Sequence, residues 1–288
     1  MKKIIAAAVA TAFVAPVWAA DVTLTGDMEW RFTAGDDDGL STVTDDADIF
    51  VTATEEVNGL SIKAVVGEED MGTAGGKEAE LHVTGTFGTV SIGTVSNAAA
   101  VVDEIVDVAG SAGADANPSH GGDQTVNTIH WTLPSMMDGL HIGLSMGVEE
   151  GTANTVDTDE LETTSVGVKY SVNGLTAVYA TIDVEDATYN TKHSSLSYSA
   201  NGIFVGIAKT KDDGASNTDT QTVALKYSLG DAAVYAEANE SDASGTVTDT
   251  DIMGMSYSVG GGLSMFLEAV DSSTASADAT TLGIKYAF

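Results

Sequence analysis

Apolar and polar residues alternate with a period of two along nearly the whole chain, and helical periodicity is almost absent. In 219–228, Val223, Leu225 and Tyr227 oppose Ala224, Lys226 and Ser228. In 77–87, Ala79, Leu81 and Val83 oppose Glu78, Glu80, His82 and Thr84. In 278–288, Leu282, Ile284, Tyr286 and Phe288 oppose Thr281, Gly283, Lys285 and Ala287. The first face of each run suits oil and the second suits water. The run 263–271 is less clean, because Phe266 and Glu268 fall on one side. The alternation predicts sixteen strands, at 22–34, 45–57, 60–68, 77–87, 89–95, 125–133, 140–149, 162–172, 175–183, 191–200, 203–210, 219–228, 231–239, 249–259, 263–271 and 278–288. Most are near the ~9–11 residues with which a tilted strand crosses a bilayer.

The connections alternate between short and long. The short ones are Asn58-Gly59, Phe87-Gly88, Pro134 to Gly139, Asn173-Gly174, Asn201-Gly202, Leu229-Gly230 and Gly260 to Gly262. Asn-Gly favours tight hairpin turns, since both residues tolerate positive φ. The long ones are acidic, among them Gly35 to Thr44, Glu150 to Leu161, Lys211 to Thr218 and Glu240 to Thr248. A hairpin-sized repeat reinforces the count. Tyr170, Tyr198, Tyr227, Tyr257 and Tyr286 recur at intervals of 28, 29, 30 and 29 residues, the first four each three residues before a short turn. A ring at that level sits well at a membrane surface, with its face in lipid and its hydroxyl in water. Tyrosines in the core of a soluble β-protein are the alternative reading.

The 43 Asp+Glu against 11 Lys+Arg give a net charge of −32, and there is no cysteine. Lys2 and Lys3 followed by the apolar run Ile4 to Val17 and the small-residue site Val17-Trp18-Ala19 predict a secretory leader over 1–19. Without its two lysines the basic residues fall from 11 to 9 and the charge from −32 to −34. Such a chain cannot neutralise phosphates, which excludes nucleic acid as a partner. No later stretch approaches the ~18 apolar residues of a membrane helix. If 20–288 spans a membrane, it does so as a closed barrel, which leaves no unpaired backbone in hydrocarbon. The expected fold is therefore all-β: a transmembrane antiparallel barrel of 16 strands, with long outer loops and short periplasmic turns.

No nucleophile elbow, zinc-binding helix or phosphate loop is present, and the five histidines show no metal spacing. Ser119, His120, Asp115 and Asp123 share one long connection, too loose for a catalytic triad. No enzyme and no firm cofactor are expected. The run Asp36, Asp37 and Asp38 supplies oxygen ligands of the kind calcium takes, without the spacing of a defined calcium loop. Calcium there would bridge outer loops to lipopolysaccharide; plain solvation is the competing reading.

Leu282-Gly283-Ile284-Lys285-Tyr286-Ala287-Phe288 resembles the C-terminal signal of outer-membrane barrels, whose terminal Phe is read by the assembly machinery. Val22 to Asp27 resembles the first strand of general diffusion porins, and Phe87 to Gly93 resembles the hairpin before their constriction loop. The likeness spans the mature chain and is greatest to the trimeric, 16-stranded porins of alphaproteobacteria. It implies a homotrimer in outer-membrane lipid and lipopolysaccharide that passes small hydrophilic solutes by diffusion. It also implies that 96–124 is the loop that folds inward. That connection carries Asp103, Glu104, Asp107, Asp115 and Asp123 and no Lys or Arg, and Val101 to Val108 is apolar enough for a short helix. The family sets such acids against a basic wall. Here only Arg31 and Lys63, with His82, stand out as inward basic groups, so a negative, cation-preferring constriction is expected. A non-conducting barrel acting as adhesin or structural protein remains the alternative.

Overall fold

The computed structural model describes residues 20–35, 39–69, 76–100, 108, 128–147, 163–184, 190–214, 217–273 and 278–288, over 39–46 as backbone only. Sixteen strands are present: β1 Asp21–Gly35, β2 Gly39–Val57, β3 Leu60–Glu68, β4 Lys77–Gly85, β5 Gly88–Gly93, β6 Thr128–Thr132, β7 Leu140–Gly147, β8 Thr163–Val172, β9 Leu175–Val184, β10 Asn190–Ala200, β11 Ile203–Asp212, β12 Thr218–Leu229, β13 Ala232–Ala243, β14 Thr246–Gly260, β15 Leu263–Ser272 and β16 Ala279–Ala287. Each pairs antiparallel with its neighbours, and β1 pairs with β16, so the sheet closes. Gly26 N donates to Phe288 O at 3.1 Å and Phe288 N to Gly26 O at 2.9 Å, which carries the ladder across the seam. A closed ladder leaves no edge to lipid.

The local chemistry explains the turns. Asn58-Gly59, Asn173-Gly174 and Asn201-Gly202 all have both residues at positive φ, as a primed turn requires. Two expected long loops are shorter. Between β13 and β14 the chain turns on Ser244-Gly245, at φ 53° and 90°, and Asp242 Oδ1 accepts from Gly245 N at 2.7 Å. The acidic, threonine-rich flanks continue the alternation, so the strands extend through Glu240 to Thr248. Likewise β2 starts at Gly39, inside the expected connection Gly35 to Thr44. Register slips between Glu29 and Trp30, where Asp46 and Thr44 face them and Asp45 is the extra residue of a bulge.

Burial is inverted relative to a soluble domain. Outward Leu196, Val205, Ile207, Val223 and Leu225 are exposed, whereas inward Glu29, Glu237, Glu268, His193 and Thr128 are buried. Stranding that much aliphatic surface in water is unfavourable by ~25 cal/mol per Å², so the outer face belongs in lipid. The five repeat tyrosines all point outward near the short turns. Among the described residues no helix is long and apolar enough to cross a membrane; strands make the crossing.

The irregular run 263–271 has a packing explanation. Phe266 and Glu268 do share the inner face, and Phe266 lies directly opposite Gly283. A β-carbon on Gly283 would collide with the Phe266 ring. Tyr235 opposite Gly254 and Phe50 opposite Gly67 repeat the arrangement. Each ring lies flat over a strand glycine, so an inward aromatic is accommodated without filling the bore.

Candidate functional site

The site is the lumen. After β5 the chain turns inward, and the described part of the long connection seats on the wall in two places. Ala98 N donates to Ser145 Oγ at 3.0 Å and to Ser165 Oγ at 2.9 Å. Ala99 N lies 3.3 Å from Ser165 Oγ, and the two serine hydroxyls are 2.6 Å apart. Asn97 Oδ1 accepts from Ala99 N at 2.9 Å and Ala100 N at 3.0 Å, the bonding of a helix cap. Ala98 and Ala99 are fully buried, and Ala99 packs on Val178, Ala180 and Ile182 of β9. His130 Nδ1 donates to Ser96 O at 3.2 Å. Further round the same side of the barrel, Val108 packs on Ala208, Ala224 and Tyr235, and its N–H donates to Glu237 Oε2 at 3.3 Å. Both described pieces of the connection therefore lie inside the lumen, seated on the inner faces of β7–β9 and of β11–β13.

A second cluster carries charge. Arg31 Nε donates to Glu29 Oε1 at 2.6 Å, and Lys285 Nζ lies 2.7 Å from Asp27 Oδ2 and 4.0 Å from Glu29 Oε2. Tyr235 donates to Glu268 through its hydroxyl. His82 donates from Nε2 to Glu80 Oε2 at 2.9 Å, and its Nδ1 lies 2.7 Å from Ser91 Oγ.

Arg31, Lys63 and His82 all face inward. Lys63 and His82 are directly opposite one another on β3 and β4. Arg31 does not join them. Lys63 aligns with Thr54, and Thr54 with Asp21, so Arg31 is ten positions further along β1. That is roughly 33 Å at ~3.3 Å per residue. Asp103, Glu104, Asp107, Asp115 and Asp123 lie outside the described residues, as do the candidate calcium run Asp36, Asp37 and Asp38, the leader 1–19 and most of the helix expected over Val101 to Val108. Among the described residues no group of three His, Asp or Glu side chains is placed to hold a metal.

Several inward groups had no individual signal in the sequence. Ser145 and Ser165 are indistinguishable there from any wet-face serine. Glu29, Glu237, Lys169, Lys226 and Lys285 follow from strand parity, but parity alone does not tell which of them meet.

A closed sixteen-stranded barrel with an apolar belt outside, a polar lumen and parts of a long connection seated on the inner wall defines an outer-membrane channel of the porin type. The family comparison agrees. This chain belongs to the Gram-negative porin family, whose sequence profile matches residues 6–288. Solved structures share the fold at low identity. A substituted form of the Rh. blastica porin is 17% identical, with 93% of this chain and 100% of that chain covered at a TM-score of 0.73. A Rhodopseudomonas blastica porin triple mutant is 18% identical with the same coverage and TM-score 0.73. A loop-deleted OmpT, an outer membrane protein of Vibrio cholerae, is 16% identical, covering 94% and 100% at 0.73. No curated protein sequence matches this chain. The protein is an outer-membrane porin.

Proposed function

We propose that this porin passes small hydrophilic solutes passively, prefers cations, and is narrowed by the connection 96–124. The observation that carries the reading is that Ala98, Ala99 and Val108 are all buried against the inner wall, which places both described parts of the connection inside the lumen. The acids of that connection, with Glu29, Glu80, Glu237 and Glu268 on the wall, support a negative potential, and rings of carboxylates favour cations. Among the described residues no aromatic ladder of the kind sugar channels use lines the bore. The protein works as a homotrimer in lipopolysaccharide-rich lipid, a reading supported by family membership. Phe288, outward and stacked on Tyr286 at 6.1 Å between centroids, is the residue offered to the assembly machinery.

Planar-bilayer recording tests this. Stepwise currents and a reversal potential of cation sign in a salt gradient are expected. An anion-signed reversal potential would overturn the selectivity. Absence of steps from folded, heat-modifiable protein would favour the plugged, non-conducting barrel.

A further inference from the structure

The tyrosine repeat has an inward half. The register that sends Tyr170, Tyr227 and Tyr286 into the membrane sends the preceding Lys169, Lys226 and Lys285 into the lumen. Lys63 faces inward on β3. Each lysine is three residues from its hairpin-closing residue or chain end: Lys63 from Leu60, Lys169 from Val172, Lys226 from Leu229, and Lys285 from Phe288. Three residues are ~10 Å along a strand, so each lies ~10 Å from its own strand end at the periplasmic mouth, with Lys285, which faces Glu29 eight positions past Asp21, set deeper than Lys63 along the register. Their strands, β3, β8, β12 and β16, are spread around the closed sheet at intervals of three to five strands. Among the described residues, Lys63, Lys169 and Lys226 form no ion pair, while Lys285 contacts Asp27 and Glu29. The other described charges at this end are Asp21, inward at the start of β1 and in register with Thr54 and Lys63, Glu55 and Glu56 beside the first turn, and Asp138 and Asp231 in the turns.

Further in, the sign changes. Glu80, Glu237 and Glu268 each lie five residues from their closing residues Gly85, Ala232 and Leu263. Beyond them Glu78 faces inward, as does Asp212 at the outer end of β11, while Asp219, Asp249 and Asp271 lie on the outward face of the rim with Lys192, Lys209 and Lys211.

We propose that Lys63, Lys169, Lys226 and Lys285 form a cationic collar inside the periplasmic mouth. The bore is then electrically polar along its axis, basic at the periplasmic end and acidic beyond. The collar attracts small anions and opposes the cation preference of the acidic section. A channel of two opposite charge zones in series does not conduct equally in both directions. With the outer side positive, cations enter through the acidic zone and anions through the collar, both accumulate where the zones meet, and current is high. Reversed voltage depletes the junction of both ions. The effect requires the zones to be felt across the bore, so it belongs to dilute salt. The Debye length is ~10 Å at 0.1 M and ~3 Å at 1 M.

The test is single-channel current at equal and opposite voltages, with a reversal potential, on the whole protein and on the K63Q/K169Q/K226Q/K285Q variant. Heat-modifiable gel migration confirms folding. In dilute salt the wild-type current ratio is expected on the order of two, falling to unity in molar salt. In the glutamine variant the ratio falls to unity in dilute salt too, and the reversal potential moves toward stronger cation preference. Replacement of the four lysines by arginine keeps the ratio. Should the fourfold variant fail to fold, K226Q alone must lower the ratio by a part. The proposal rests on the channel reading, yet fails separately. Without stepwise conductance the channel reading falls. Conductance with equal currents at both polarities in dilute salt, or a ratio and reversal potential untouched by the glutamines, overturns the collar alone.

Discussion

The inner faces of β7–β9 and of β13–β16 with β1 obey the same alternation, yet they carry different chemistry. The first presents Ser145, Ser165, Val178, Ala180 and Ile182, small or neutral and covered by Ala98 and Ala99. The second presents Tyr235, Glu237, Glu268, Glu29, Arg31 and Lys285. Parity decides which residues face the bore. What then meets each face decides whether it can hold charge. A wall that chain packs against must be dry and fully bonded, because a buried polar group without a partner is costly. A charged wall must pair its ions with neighbouring side chains or with the segment, as Tyr235 does for Glu268 and the Val108 amide does for Glu237.

The largest test places a charge on the dry wall. Ile182→Asp puts a carboxylate where Ile182 is 1% exposed beside Ala99. Unpaired burial of a charge is expected to cost more than ~3 kcal/mol. The barrel then either loses thermal stability or expels residues 97–100 and conducts more. Ser256→Asp, inward on β14 away from the segment, is expected to change stability by less than ~0.5 kcal/mol. Equal losses from the two substitutions would erase the distinction between the walls.

A milder cut removes the hydroxyls that hold the segment. With Ser145 and Ser165 both replaced by Ala, the buried amide of Ala98 loses both its acceptors. An orphaned buried donor costs ~1–3 kcal/mol. Faster amide exchange at Ala98 and Ala99 and noisier open-channel current are expected. Unchanged exchange would show that Asn97 and the packing on β9 suffice.

On the charged wall, Arg31→Gln removes the closest partner of Glu29, leaving Lys285 at 4.0 Å. Lys285 leaves Glu29 partly compensated, so the stability change is expected below the ~3–5 kcal/mol of an uncompensated buried charge. The clearer readout is a reversal potential shifted toward cations. A large stability loss here, rivalling that of Ile182→Asp, would show that this wall is as dry as the other.

How far these walls could be read beforehand differs in the same way. The sixteen strands follow from alternation and Asn-Gly turns, because side-chain parity and turn φ are local properties. The extension of β13 and β14 to Ser244-Gly245 was hidden by acidic residues, which resemble a loop but alternate like a strand. Phe266 beside Glu268 looked like a fault in the pattern until Gly283 on the next strand supplied the space. Ser145 and Ser165 gained a role only when residues 97–100 returned to them from a distant point in the chain. The inward lysines before Tyr170, Tyr227 and Tyr286 were visible in the repeat, but their depth depends on where each hairpin closes.

The smallest expected effect lies outside both walls, at the outer rim. Asp213, just past the end of β11, is fully exposed, and the hydrogen bond from Lys211 at 2.9 Å holds its carboxyl below the usual carboxylate range. A depressed folded-state value means that the pair stabilises above the ordinary titration range of Asp and loses that contribution as pH falls through the lowered value. Asp213→Asn is therefore expected to be silent in acid and to lower thermal stability only slightly at neutral pH, less than Arg31→Gln does. High salt should remove even that, since exposed pairs are screened. Melting curves of wild type and variant across pH, in dilute and molar salt, check it. A gap between the two that widened on acidification would reverse the sign and show that Asp213 is stabilised by its protonated form. Charge on this protein would then matter most where water is freest, the opposite of what the two walls teach.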